Sequence, residues 1–186
     1  MKKKILLLSL LFLSVLGLFA QAPAIEWSKS LGGWQEEWGR AILQTQDGGY
    51  IVAGSASSTG GGVDSVYGDF DFWIVKIDAA NNIQWQKTFG GSDLDAAFSI
   101  RQAPNGGYFI FGHTQSSDND VVGLHANSMD YWLIKIDSQG NLLWHKCFGG
   151  DQIEEASSFE PTSDNGFVMV GSSNSNNGDV SGNHGF

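Results

Sequence analysis

"FWIVKIDAANNIQWQKTFGG" (Phe72–Gly91) and "YWLIKIDSQGNLLWHKCFGG" (Tyr131–Gly150) are nearly the same phrase, written 59 residues apart. Around them the chain resolves into three units, residues 27–84, 85–143 and 144–186, headed by Trp27, Trp85 and Trp144. Gly32-Gly33 returns as Gly90-Gly91 and Gly149-Gly150. "DGGY" (Asp47–Tyr50) returns as "NGGY" (Asn105–Tyr108) and "DNGF" (Asp164–Phe167). Asp71, Trp73, Lys76 and Asp78 recur as Asp130, Trp132, Lys135 and Asp137. Self-similarity at a fixed period is the signature of a repeat architecture, in which each unit offers its neighbour the same surface.

Each unit reads as four short strands. In the second they are expected at residues 83–89, 97–103, 108–114 and 130–137, with apolar residues alternating at period two. Pro104-Asn105-Gly106-Gly107 supplies the positive-φ positions of a tight hairpin turn. The third and fourth strands are apolar on both faces, as in Trp132, Ile134 and Ile136 against Tyr131 and Leu133. A strand covered on both sides lies between packed layers. Short hairpins make each unit an antiparallel meander, so the expected fold is all-β and β-propeller-like, with four-stranded antiparallel blades, two complete and one incomplete. Three units are fewer than the four blades of the smallest closed propellers. The expectation is therefore continuation into further blades or self-assembly.

Lys2, Lys3 and Lys4 precede an apolar run from Ile5 to Phe19 and a small-residue zone, Ala20–Ala24. That layout predicts a signal peptide over residues 1–20, cleaved between 20 and 24, and a repeat domain over 21–186. The run is shorter than the ~20 residues of a spanning helix, so a secreted or cell-surface location without membrane insertion is expected. Removing the leader leaves seven Lys and Arg against twenty Asp and Glu, a net charge of −13. The few cations are scattered, which excludes a nucleic-acid partner. Cys147 is the single cysteine, so no intramolecular disulfide is available.

The pattern W-x-K-x-[FL]-G-G, then [DN]-G-G-Y, then D-x-W-hydrophobic-hydrophobic-K-hydrophobic-D resembles the secreted bacterial β-propeller-repeat proteins. The resemblance covers Trp27 to Phe186. It implies a propeller fold, export to the cell surface and, for most members, no assigned activity. "KIDSQGNLLW" (Lys135–Trp144) is also similar to the D-x-x-x-G-x-x-x-W phrase of quinoprotein propellers. That likeness is a hairpin and a packing Trp, and no metal ligands or adjacent cysteines accompany it.

Five of the seven tryptophans fall at repeat positions and read as inter-blade packing. Trp34 and Trp38, in "GGWQEEWG", are unique to the first unit, where the second has Ser92 and Ala96. They are the candidate ligand-binding pair, either a glycan-stacking platform or a cap over the terminal blade. The loops "SSDNDVVG" (Ser116–Gly123) and "SNNGDVSG" (Ser175–Gly182) offer Asp118, Asp120, Asn176 and Asp179 as Ca²⁺ candidates. Asx-turns explain the same composition. His113, His125, His145 and His184 form no nucleophile–base–acid set and read as loop-tip or strand-surface residues. Cys147 stands at a Ser/Thr position of the repeat and reads as a free thiol without a catalytic role. The function expected is a non-catalytic module that binds a protein or glycan ligand, without a cofactor. The alternatives are a purely structural segment of a longer surface protein or, more weakly, a piece of a quinoprotein-like enzyme.

Overall fold

The computed structural model describes residues 22–184. The chain divides into two units, Met1–Ser30 and Leu31–Phe186. In the first, residues 22–30 contain neither helix nor strand. The leader expected over residues 1–20 lies outside the described residues. The second unit is all β, and among the described residues no helix is long and apolar enough to cross a membrane.

Among the described residues ten strands form three antiparallel sheets. The first runs β1 (Glu37–Gln44), β2 (Tyr50–Ala56), β3 (Asp71–Ile77), β4 (Ile83–Phe89). The second repeats it with β5 (Asp95–Gln102), β6 (Tyr108–Thr114), β7 (Asp130–Ile136) and β8 (Leu142–Phe148). The third holds β9 (Glu154–Pro161) and β10 (Phe167–Ser173). This is a propeller-like array of two complete blades and an incomplete one, not closed into a ring.

The blade frame differs from the expected one. The strand bearing Trp85 does not open the second blade; as β4 it is the outer strand of the first sheet, in register with β3 from Phe72↔Phe89 to Ile77↔Ile83. The reason is the five-residue turn between them. Asp78 Oδ1 accepts the N–H groups of Ala80 and Asn82, both at 2.8 Å, and Asn81 takes φ 66°. A turn that tight can only send the chain back along the strand it left. Asp137 does the same for β7 and β8 through Gln139 and Asn141. The crossing to the next blade instead uses the double-glycine link, where Asp95 N–H donates to Phe70 O at 2.6 Å. The sheets therefore occupy residues 37–89, 95–148 and 154–173 rather than units starting at 27, 85 and 144. A strand expected at Trp27 does not form.

Every residue of β3 and of β6 is buried, as strands clad on both faces must be. One apolar cluster joins the first two blades: Phe72 from β3 meets Trp132 from β7 at 4.6 Å between ring centroids, with Ile51, Ile74, Ile110 and Ile134 around them. A second joins the next pair through Phe109, Phe111, Leu133 and Phe159. Trp132 is buried as an inter-blade packing residue, whereas Trp73 is buried within the first blade, against Ala56, Val63, Val75 and Ile77. Trp85 and Trp144 are only partly covered, on outer strands; the Trp85 indole reaches the next blade's turn and donates to Ser138 O at 3.2 Å.

Candidate functional site

The pairing of β1 with β2 skips Arg40, between Gly39 and Ala41, and the pairing of β5 with β6 skips Phe98, between Ala97 and Ser99. A bulged residue leaves the ladder and its side chain is re-aimed. Here the two bulges, one repeat apart, aim at each other: the Arg40 guanidinium lies 4.3 Å from the Phe98 ring centroid. It also lies 5.0 Å from the Trp38 ring. Trp38 stacks on Phe70 at 5.1 Å, and Phe98 packs on His113 at 4.9 Å. The result is a continuous row, Phe70, Trp38, Arg40, Phe98, His113, crossing from the first blade to the second.

Trp34 sits in the turn before β1. Ser58 Oγ accepts the N–H groups of Trp34 and Gln35, both at 2.9 Å, and its own hydroxyl donates to Glu37 Oε1. Glu37 Oε2 accepts Gly33 N–H at 2.8 Å. The turn is thus pinned while the indole stays 86% exposed, lying against Gly60 at φ 101°, where a Cβ would strike the indole nitrogen. Gln35 and Glu36, which follow Trp34, line an open groove of about 440 Å³ with Ser57, Gly68, Asp69, Phe70 and Leu94. The structure therefore separates the roles of the candidate pair. Trp38 is 47% exposed but belongs to a stack, with Phe70 and Arg40 against its ring. Trp34 carries the bare face.

The Ca²⁺ candidates are not gathered into one place. Asp118 Oδ1 accepts Ser92 N–H at 2.7 Å and Asp120 Oδ2 accepts Gly90 N–H at 3.3 Å, so both cap the double-glycine link of the first junction. At the next junction Asp179 N–H donates to Gly149 O, and Asn176 Oδ1 accepts Gly182 N–H. Among the described residues no group of three or more His, Cys, Asp or Glu is placed to hold a metal ion.

Beneath each of these loops two buried carboxylates meet. Asp71 opens β3 and Asp95 opens β5, and a Cβ on Gly90 would collide with Asp71 Oδ1 and Asp95 Oδ2 together. Asp130 and Glu154 flank Gly149 in the same way. One oxygen of each Asp is satisfied: Asp71 Oδ2 by Tyr67 N–H at 2.7 Å, Asp95 Oδ2 by Gly91 N–H at 2.7 Å, Asp130 Oδ2 by His125 N–H at 3.0 Å. The Oδ1 atoms of all three are buried without a hydrogen-bond partner. Burial pushes Asp71 up to about 7, helped by the charge of Asp95, and pushes Asp95 itself up to about 6 against its hydrogen bonds.

The histidines and the cysteine depart in part from expectation. His113 is not a surface residue: it is 8% exposed, its Nδ1 accepts Ala156 N–H at 3.3 Å, and burial holds it down to about 4, hence neutral. It is covered because β6 is clad on both faces. His145 Nδ1 accepts the Trp132 indole N–H at 3.2 Å, the part Gln86 plays for Trp73 in the first blade. Cys147 is buried, with Sγ 3.7 Å from Val122 O, and desolvation pushes its thiol up to about 12. It replaces Thr88, whose hydroxyl donates to Ser65 O.

The sequence reading did not find Arg40, Phe70 or Phe98. Their signal was available in Arg40 and Phe98, which share one repeat position with Ser157 although the three have nothing chemical in common. Compared with models of known protein families and with curated proteins, the chain matches none.

Proposed function

We propose that the chain is an exported β-propeller-repeat module that binds a glycan, and that binding takes place on the face of the first blade. The observations that carry this are the 86% exposed Trp34 indole and a groove, lined by the two residues that follow it in sequence, whose walls combine hydrogen-bonding side chains with Phe70 and Leu94. A sugar presents an apolar C–H face and a hydroxyl rim. An aromatic plane takes the first, and amide and carboxylate groups such as Gln35, Glu36 and Asp69 take the second. Secretion is inferred from the leader's composition, and the repeat family from the resemblance of its motifs.

A glycan array probed with the wild type and with Trp34→Ala tests the reading. Signals on particular glycans that vanish in the variant support it; silence on every glycan refutes it.

A specific observation favours the purely structural alternative. Val168 and Val170 on β10 are 56% and 57% exposed, whereas their counterparts Ile51 and Ala53, and Phe109 and Phe111, are at most 8% exposed. Among the described residues no strand lies on the outer edge of β10. A surface built for packing against further repeats is what a scaffold segment needs. The array separates the two, because a scaffold has no sugar-dependent signal.

A further inference from the structure

We infer that the glycan this face selects carries an isolated carboxylate, a uronic acid within an otherwise neutral chain, and that Arg40 receives it. This rests on the glycan reading above and names the class of sugar.

Arg40 is exposed, and its guanidinium is held between two rings, Trp38 at 5.0 Å and Phe98 at 4.3 Å. Among the described residues no Asp or Glu lies within ion-pairing distance of it. Arg101 shows the contrast: its Nε donates to Glu160 Oε1 at 2.9 Å. A guanidinium that lies over aromatic rings and pairs with no carboxylate has N–H groups left for a planar anion, and its fork matches a carboxylate at two points. Stacking also removes much of the ordering entropy that a free arginine side chain loses on binding.

The surroundings set how much negative charge is acceptable. The neighbouring groove is lined by Glu36 and Asp69, and the chain as a whole carries −10. His113, packed at the far end of the row, is held neutral and adds no cation. A polyanion would set further negative charge against Glu36 and Asp69 in the groove. One carboxylate meets only Arg40. Phe70 connects the parts, because it lines the groove and stacks on Trp38. A neutral ring lodged in the groove against Phe70 therefore lies beside the Trp38–Arg40 stack, where Arg40 is within reach of its acidic neighbour.

The test is isothermal titration of the full chain with an aldouronic trisaccharide, one glucuronic acid on two xyloses, beside the methyl ester of the same sugar and xylotriose. Losing one charge-assisted hydrogen-bond pair costs roughly a factor of ten or more in affinity. The expected result is acid bound about tenfold tighter than ester by the wild type, and the two bound equally by Arg40→Gln. Arg40→Lys, which keeps the charge and loses the fork, is expected to fall between them. A thermal midpoint for each variant establishes that it is folded. Equal binding of acid and ester by the wild type overturns the role of Arg40 and leaves the glycan reading standing. Tighter binding of a sulfated polysaccharide than of the aldouronic sugar overturns it as well. Binding of none of these sugars, together with an empty glycan array, overturns both.

Discussion

The Arg40 guanidinium lies 4.3 Å from the centroid of the Phe98 ring, and each of the two is the bulged residue in the first strand of its blade. The same irregularity, repeated one unit later, thus brings a cation and an aromatic ring together across a blade junction. A cation–π contact of this kind contributes about 0.5–1 kcal/mol at a partly exposed site. Phe98 also packs at the edge of the second apolar cluster, so truncating it removes buried area too. Phe98→Ala is expected to lower stability by about 1–2 kcal/mol. Urea unfolding of the two proteins measures it; a loss below a few tenths would mean that the stacked geometry contributes nothing.

The two complete blades contain a natural comparison in their lysines. Lys76 is 2% exposed and its Nζ donates to Asp47 Oδ2 at 2.8 Å and to Ile77 O. In the second blade Asn105 stands at the place of Asp47, and Lys135 Nζ instead lies 5.2 Å from the Phe109 ring. Asp47→Asn leaves the Lys76 charge buried without a carboxylate. Because the Asp47 side chain is half exposed, solvent screens the loss, and about 1–2 kcal/mol is expected rather than the cost of a fully buried pair. The pair also fixes an acid limb. The Lys76 ammonium, with the Thr45 hydroxyl, holds Asp47 down to about 2, so its contribution is complete above the unfolded value near 4 and disappears as pH falls toward 2. Unfolding midpoints of wild type and Asp47→Asn should converge across that interval and stay apart at pH 6.

The repeated phrase was legible because Phe72, Trp132 and Ile134 pack between blades while Trp73 is buried on the other face of its strand, so the strand must be apolar on both sides. The blade frame was not. A cyclic pattern reads alike from any starting point, and only the hydrogen bonds of Asp78 and Asp137 decide that the Trp85 and Trp144 strands close a blade rather than open one. Trp34 was visible as a break in the repeat. Its partners were not, since a bulge moves Arg40 off the alternation by which side chains are assigned to faces. His113 was misplaced for a related reason: one polar residue in a strand suggests a wet face, yet both faces of β6 are covered.

Cys147 is expected to be unreactive in the folded protein. Its thiol is buried, and desolvation, with the carboxylates of Asp130 and Asp95, pushes it up to about 12. At pH 8 almost no thiolate forms, and the thiolate is the reacting species. A maleimide should label the native chain far more slowly than the urea-unfolded one. Labelling at equal rates would show that β8 opens freely. Cys147→Ser should cost little, because Thr88 already fills the equivalent place with a hydroxyl.

The buried carboxylates of the first junction give a pH dependence of opposite sign to that of Asp47. Asp71 rises from an ordinary value near 3.8 to about 7, and Asp95 to about 6. Both bind a proton more tightly in the folded state than in the unfolded one. Their contribution is therefore complete below about pH 4 and is lost as pH rises through 6 to 7. Stability should fall over pH 4 to 7, the interval in which the contribution of Asp47 is already constant. Asp71→Asn keeps an acceptor for Tyr67 N–H and removes the charge that faces Asp95, so it should flatten most of that slope and raise the midpoint at pH 7.5. Gly90→Ala provides the complementary measurement: its Cβ has to displace both carboxylates, so a loss at every pH is expected, without the flattening. A wild-type midpoint that does not fall between pH 4 and 7 would mean that these acids are not buried together at the junction.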